Sequence, residues 1–123
     1  MPGFADLAMV TIDCADPAAL AEFYAGVLGW EIAHSQAEYA MLANPVEGGA
    51  PIGFGRVDDY RPAPWPNPNG SKQFHLDFHV DDVELAVARA QELGAVRPDH
   101  QPGGDGWTVM LDPAGHPFCL CPR

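Results

Sequence analysis

Hydrophobic and polar residues follow two different periods along this chain, and the changes of period predict where strands and a helix lie. Residues 7–14 alternate with period two and predict a strand. A helix is predicted next, because Asp16 suits an N-cap, Pro17 suits the first turn and Gly29 suits the position just after the last turn. Strands predicted at residues 30–34, 39–43 and 52–57 complete a βαβββ module.

The same order of elements returns in the second half of the chain. Asp16 and Gly29 recur as Asp81 and Gly94, at the same offset of 65 residues, and Asp81 is predicted to form a capping box with Glu84. A repeat on this scale predicts two similar modules. The second module is predicted to contain a helix at residues 82–93 and strands at residues 74–80, 95–97, 107–111 and 117–121.

A proline-rich connector separates the two halves. Residues 58–73 carry prolines at alternating positions, which exclude a sheet interior and favour a semi-rigid extended segment. We therefore predict one domain over residues 1–123, with module one at 1–57 and module two at 74–123. The predicted fold class is α+β. Two βαβββ modules, each a mixed sheet with its helix on one face, would form a half-open barrel cavity by pairing within the chain or across a homodimer.

Composition narrows the possible partners. The 123 residues include 17 Asp and Glu but only six Lys and Arg, giving a net charge of −11. Such acidity argues against nucleic acid and anionic membranes, both of which attract cationic residues, and suits a cationic or neutral ligand. No apolar run approaches the ~18 residues of a membrane span, and no secretory signal is visible. Three cysteines fit reduced thiols, so we expect a cytoplasmic protein.

A polar strip on one predicted strand is the strongest local signal. In residues 74–80, His75, Asp77 and His79 share one face, opposite the apolar face expected to pack on the helix. Three titratable side chains in a row suit the lining of a pocket, although hydrogen-bonded histidines on a sheet surface give the same pattern. Alternate residues on a strand lie ~7 Å apart, which predicts that one metal ion reaches only one or two of them.

Several motifs resemble those of the vicinal oxygen chelate superfamily, in particular its glyoxalase-like domains. They are the paired βαβββ pattern, the segment 16–30, His-Leu-Asp at 75–77 and Asp-Pro-Ala-Gly-His-Pro-Phe-Cys at 112–119. The superfamily includes glyoxalase I, extradiol dioxygenases, fosfomycin-modifying enzymes and bleomycin-resistance proteins. The resemblance covers nearly the entire chain and implies the fold, but the superfamily hosts many chemistries.

The resemblance also implies four positions for a divalent metal, on the first and last strand of each module. In this sequence those positions fall on Met9, Gly53, His75 and Cys119. His75 is a conventional ligand, Cys119 is a thiol, and Met9 and Gly53 offer no donor for a hard cation. Asp77, His79 or Asp13 would have to complete an unorthodox site. We therefore predict no metal and no other cofactor.

Aromatic side chains supply the remaining candidates for a ligand site. Phe54, Trp65 and Trp107 are flat surfaces on which an aromatic ligand can stack, although packing in the core or at a rim is the alternative for each. Trp65 lies in the proline-rich connector, where it can cover a ligand or a partner subunit. Arg56 is predicted to pair with Asp13, Asp77 or an anionic ligand group.

The preferred functional hypothesis is metal-independent binding or sequestration of a small aromatic or hydrophobic molecule, as the resemblance to antibiotic-resistance proteins implies. Two alternatives are a metal-dependent lyase or dioxygenase of the glyoxalase type and a cofactor-free acid–base enzyme that uses His75, Asp77 and His79. The predicted ligand-binding residues are Met9, Asp13, Phe54, Arg56, Trp65, His75, Asp77, His79, Trp107 and Cys119. The expected partners are a small molecule and a second copy of the chain.

Overall fold

The computed structural model describes residues 3–67 and 74–123. It divides into two compact units, the first ending at Tyr60 and the second beginning at Arg61. The first unit contains β1 (Val10–Cys14), α1 (Pro17–Leu28), β2 (Ile32–Ser35), β3 (Tyr39–Leu42) and β4 (Ile52–Arg56). The second contains β5 (Leu76–Val80), α2 (Val83–Glu92), β6 (Thr108–Leu111) and β7 (Pro117–Pro122). Each unit is α+β, as the sequence predicted.

The first unit is a mixed four-stranded sheet with the strand order β1-β4-β3-β2. Strands β1 and β4 are parallel, and the other neighbours are antiparallel. The predicted βαβββ order is confirmed. The first strand starts at Val10 rather than at residue 7, because its partner β4 begins at Ile52 and the amide of Val10 bonds the carbonyl of Pro51 at 3.1 Å.

Helix α1 covers one face of this sheet. The side chain of Asp16 accepts a hydrogen bond from the amide of Ala19, and Gly29 ends the helix at a φ of 73°, a left-handed conformation that suits glycine. The ring of Tyr24 stacks on Phe54 with centroids 5.8 Å apart, and both rings are buried. The core of this unit therefore lies between α1 and the sheet.

The second unit has a three-stranded mixed sheet with the order β5-β7-β6. Strand β5 runs parallel to β7, and β6 runs antiparallel to it. The strand predicted at 95–97 is reduced to one bridge, in which Val96 exchanges both backbone hydrogen bonds with Leu111. That prediction was wrong in extent, because Ala95 begins the segment directly after the helix end and a proline follows at position 98.

The cap of helix α2 also differs from the prediction. Asp82, not Asp81, is the N-cap, and its carboxylate accepts from the amide of Leu85 at 3.1 Å. Asp81 instead pairs with Arg123 at 2.8 Å. With the cap one residue later, Glu84 falls outside the capping-box position and points to Arg97 at 3.4 Å.

The internal repeat extends to matching turns. In the first unit the amide oxygen of Asn44 accepts from the backbone of Val46 at 2.9 Å, two residues on. In the second unit Asp112 accepts from the backbone of Ala114 at 2.9 Å, and also from His116 at 2.9 Å. Each residue precedes a proline and forms the same local turn, so these two stretches of sequence are equivalent in structure.

Among residues 3–67 and 74–123, neither helix is long and apolar enough to cross a membrane.

Candidate functional site

The polar strip lies on adjacent parallel strands of the second unit. Asp77 on β5 lies opposite Cys119 on β7, and His79 lies opposite Cys121. Alternation along the strands places all four side chains on one face of the sheet, which is the face predicted for Asp77 and His79. The residues between them form the other face, where the ring of Phe78 contacts that of Phe118 at 5.9 Å.

Three members of this face form one cluster. The Nε2 atom of His75 lies 3.2 Å from Oδ1 of Asp77. One ligand atom each from His75, Asp77 and Cys119 lies within 4.8 Å of the other two. The cluster contains two residues of the polar strip, His75 and Asp77, and takes its third from β7, which agrees with the expectation that one metal ion reaches only one or two of the three. His75 lies just before β5, which begins at Leu76, so the distance between alternate residues of a strand does not limit its ring. The ring turns towards Asp77.

Burial differs within the cluster. Cys119 is almost fully buried, His75 is partly buried, and more than half of the Asp77 side chain is exposed. Next to this cluster, the pKa of the Cys121 thiol is raised, mainly by its burial and also by the negative charge of Asp77. A raised pKa keeps Cys121 protonated at neutral pH. All three cysteines of the chain are thiols, as predicted.

The corresponding face of the first unit has a different chemistry. Gly53 on β4 is flanked by Thr11 on β1 and Met41 on β3. A methyl group added at Gly53 would lie 2.8 Å from the Sδ atom of Met9 and 3.0 Å from the hydroxyl oxygen of Tyr39. That hydroxyl donates a hydrogen bond to the same sulfur at 3.2 Å. The thioether of Met9 and the ring of Tyr39 therefore fill the space above a glycine.

The remaining predicted residues of the first unit are placed as follows. Asp13 shares the face of Gly53, since it pairs with Gly55 in the ladder. Phe54 is fully buried against α1, so its ring belongs to the core and offers no surface to a ligand. Arg56, at the end of β4, pairs with Asp58 at 3.3 Å.

The other predicted residues of the second unit are Trp65, Trp107 and His79. The ring of Trp65 lies 5.7 Å from that of His100, and its Nε1 atom is buried without a hydrogen-bond partner among residues 3–67 and 74–123. Trp107 lies against Gly103, where an added methyl group would come within 2.5 Å of the indole ring. His79 is exposed beyond Asp77.

Sequence reasoning missed two residues, Tyr39 and His100. Tyr39 was assigned only to a strand, yet it lies opposite Gly55 and its hydroxyl reaches the sulfur of Met9. A large polar aromatic residue facing glycines on the next strand was the available signal. His100 was expected to be solvated, and it is exposed, but its ring packs on Trp65. Nothing in the sequence indicates a contact between Trp65 and His100, which lie 35 positions apart.

Comparison with known proteins decides the family. Residues 9–121 match the family model described as a glyoxalase-like domain. The chain belongs to this family. It is thereby a member of the vicinal oxygen chelate superfamily, as the motifs predicted. A comparison with curated proteins found no match.

Solved structures share the fold. A glyoxalase/bleomycin resistance protein/dioxygenase family enzyme from Burkholderia phytofirmans is 24% identical with a TM-score of 0.68, covering 96% of this chain and 98% of the other. A possible glyoxalase from Bacillus cereus is 15% identical, with a TM-score of 0.68 and coverages of 97% and 99%. The fosfomycin resistance protein FosX from Mesorhizobium loti is 16% identical, with a TM-score of 0.65 and coverages of 97% and 92%. At these identities the likeness is one of fold.

The divalent metal that this superfamily implies does not fit the residues of the first unit. Of the two implied positions there, Gly53 has no side chain, and the space above it is filled by the sulfur of Met9. A thioether is a poor ligand for a hard cation, which prefers carboxylate, carbonyl and water oxygens. The oxygen-rich donor set of a hard Lewis-acid site is therefore not assembled from the implied positions.

Proposed function

We propose that this glyoxalase-like domain binds and sequesters a small aromatic or hydrophobic molecule, and that binding requires no hard divalent cation. The observation that carries the proposal is the replacement, in the first unit, of an implied metal position by Gly53 covered by Met9 and Tyr39. This change removes the donors that the metal-dependent chemistry of the superfamily needs and leaves an adaptable apolar surface in their place.

The chemistry of that surface favours an apolar ligand. Met9, Tyr39 and Met41 are each partly exposed on the sheet face opposite α1, and Gly55 beside them leaves room for a ligand. An added methyl group at Gly55 would meet just one described atom within 4 Å, the Cγ2 of Thr11 at 3.8 Å. Methionine fills irregular gaps and contacts aromatic rings well, because its side chain is flexible and its sulfur is polarizable.

The charge of the chain supports a neutral or cationic ligand, and the family supports a role in binding a small molecule. The net charge of −11 disfavours an anionic ligand at long range. Similar structures include proteins named for bleomycin resistance and fosfomycin resistance. A protein that protects by sequestration releases its ligand unchanged, so no reacting group is required in the site.

The test uses a pair of probes that differ by one charge. Neutral N-phenyl-naphthylamine is titrated into the protein in EDTA and followed by its fluorescence, alongside the related anionic anilinonaphthalene sulfonate. We expect saturable binding of the neutral probe, weaker binding of the anion, and no change when EDTA is omitted. After incubation, mass spectrometry is expected to recover the neutral probe unchanged.

Variants localise the binding. Met9→Gln keeps the length of the side chain but makes its end polar, and we expect it to weaken neutral-probe binding about fivefold, or ~1 kcal/mol. Gly55→Leu is expected to fill the face and to weaken binding further. Val46→Gln, at a turn position that is 67% exposed, is the matched control and should leave binding unchanged. An unsaturable signal, or equal effects of Met9→Gln and Val46→Gln, would contradict the proposal.

The homodimer predicted from the sequence stays a prediction. It is checked by light scattering coupled to size exclusion, where the 123-residue chain of 13.2 kDa should elute at twice that mass. A monomer would exclude the alternative in which Trp65 covers a partner subunit. Chemical alteration of the bound probe would instead favour the enzymatic alternatives.

A further inference from the structure

The second unit carries a donor set that shares His75 and Cys119 with the four positions implied by the superfamily but uses neither position of the first unit. It draws on one unit alone, and it adds Asp77, which is not one of the four implied positions. Its atoms are one imidazole nitrogen, one carboxylate oxygen and one sulfur, all within 4.8 Å of one another. Nitrogen and sulfur ligands favour zinc and similar borderline-soft cations over magnesium or calcium.

We propose that His75, Asp77 and Cys119 form a binding site for Zn²⁺ within the second unit. The site is independent of the proposed small-molecule binding, which involves the first unit and needs no metal. Three protein ligands leave the fourth position of a tetrahedral zinc ion for water or another small donor, as in zinc sites that remain open to exogenous ligands.

The distances in the cluster suit a zinc ion with a small adjustment. Around tetrahedral zinc, nitrogen and oxygen ligands lie about 3.3 Å apart, and nitrogen and sulfur ligands about 3.5 Å apart. The nitrogen of His75 and the oxygen of Asp77 are already separated by 3.2 Å. The longest separation in the cluster, at most 4.8 Å, needs to shorten by about 1 Å. Asp77 can supply this movement, because 59% of its side chain is exposed.

The positions of the ligands are fixed by the fold. Cys119 lies on β7 directly opposite Asp77 on β5, and its near-complete burial holds the sulfur in one place. On binding, the Cys119 thiol gives up its proton to solvent and the sulfur coordinates zinc as a thiolate. His75 coordinates through Nε2, the nitrogen that lies 3.2 Å from Oδ1 of Asp77.

The same two strands provide matched controls. His79 and Cys121 lie opposite each other, two residues further along β5 and β7 on the same face. They are not members of the three-residue cluster found among the described residues. His79→Ala and Cys121→Ser therefore repeat the chemistry of His75→Ala and Cys119→Ser outside the proposed ligand set.

The experiment measures metal binding without any organic ligand. The purified chain is stripped of metal, titrated with CoCl₂ under reducing conditions and then challenged with ZnCl₂. We expect one equivalent of Co²⁺ to produce a thiolate-to-cobalt charge-transfer band, and Zn²⁺ to remove it. Loss of the band in Cys119→Ser, with retention in Cys121→Ser, is expected. His75→Ala and Asp77→Asn should weaken Zn²⁺ binding by at least about tenfold, since loss of an outer-shell partner alone typically costs 10- to 100-fold.

A second measurement avoids the need for variants that fold. In the wild-type chain under reducing conditions, excess Zn²⁺ should raise the midpoint of thermal denaturation, because an ion that binds the folded state stabilises it, and EDTA should reverse the rise. The proposal is overturned if no charge-transfer band forms, if the band depends on Cys121 rather than Cys119, or if Zn²⁺ leaves the midpoint of thermal denaturation unchanged. None of these outcomes bears on probe binding in EDTA, so the two proposals fail separately.

Discussion

The hydroxyl of Tyr39 donates a hydrogen bond to the sulfur of Met9 at 3.2 Å, directly above Gly53. The two residues come from β3 and from the segment before β1, and the strand between them carries the glycine that makes room for the contact. The absence of a side chain at Gly53 is therefore a packing requirement of this unit and not simply a missing metal ligand.

Two alanine substitutions on β4 test this requirement. Gly53→Ala places a methyl group 2.8 Å from the sulfur of Met9, so Met9 and Tyr39 must move and their hydrogen bond is lost. We expect a loss of about 1–2 kcal/mol in the free energy of unfolding. Gly55→Ala is the control, because its methyl group would lie at an ordinary van der Waals distance from Thr11. Alanine also reduces the conformational entropy of the unfolded chain, which favours the folded state. Equal stabilities in urea denaturation would contradict the packing argument.

The buried turn residue Asp112 offers a second test. Its side chain is 3% exposed and accepts backbone hydrogen bonds from Ala114 and His116. Asp112→Ala leaves two amides without this acceptor, and we expect it to lower the free energy of unfolding by about 2–3 kcal/mol. Asp112→Asn retains one acceptor oxygen and should cost less than Asp112→Ala. Thermal denaturation should rank the stabilities as wild type above Asp112→Asn above Asp112→Ala. The reverse order of the two variants would refute the role assigned to the carboxylate.

The two neighbouring aspartates before helix α2 should differ in their effects. Asp82→Ala removes the N-cap bond to Leu85, and we expect a cost of about 1 kcal/mol. Asp81→Ala removes an exposed pair with Arg123, for which we expect less than about 0.5 kcal/mol. The measurement is the midpoint of chemical denaturation. If Asp81→Ala proved the more costly, the capping box inferred from the sequence would describe the helix better than the structure does.

Gln101 is expected to stabilise the outer edge of the second sheet. Its amide oxygen accepts from the backbone of Val109, and its amide nitrogen donates to the carbonyls of Val109 and Pro98, each at 2.8 Å. Gln101→Ala should cost about 1–3 kcal/mol and speed hydrogen exchange at the amide of Val109. Gln101→Glu keeps the acceptor but loses the donor, so it should protect that amide better than alanine does. Unchanged exchange in Gln101→Ala would exclude this role.

Periodicity and turn chemistry determined most of the secondary structure. The helices from Pro17 and Val83 and the mixed character of each sheet follow from local spacing and from the repeat. The N-terminus of helix α2 did not follow from the sequence, because Asp81 and Asp82 are both aspartates and suit an N-cap equally well. The choice between them depends on where the chain leaves β5, which the sequence does not specify.

The sequence by itself identified the polar face of His75, Asp77 and His79, because alternation on a strand fixes which side chains share a side, and the family resemblance added Cys119 as an implied metal position. Tertiary structure alone decided which of them meet. Cys119 lies 42 residues after Asp77, and the parallel pairing of β5 with β7 sets them opposite each other. The same reason applies to Met9, Tyr39 and Gly53, whose contact depends on the register of three strands. Residue type and spacing define what a side chain can do, whereas long-range strand pairing defines its neighbours.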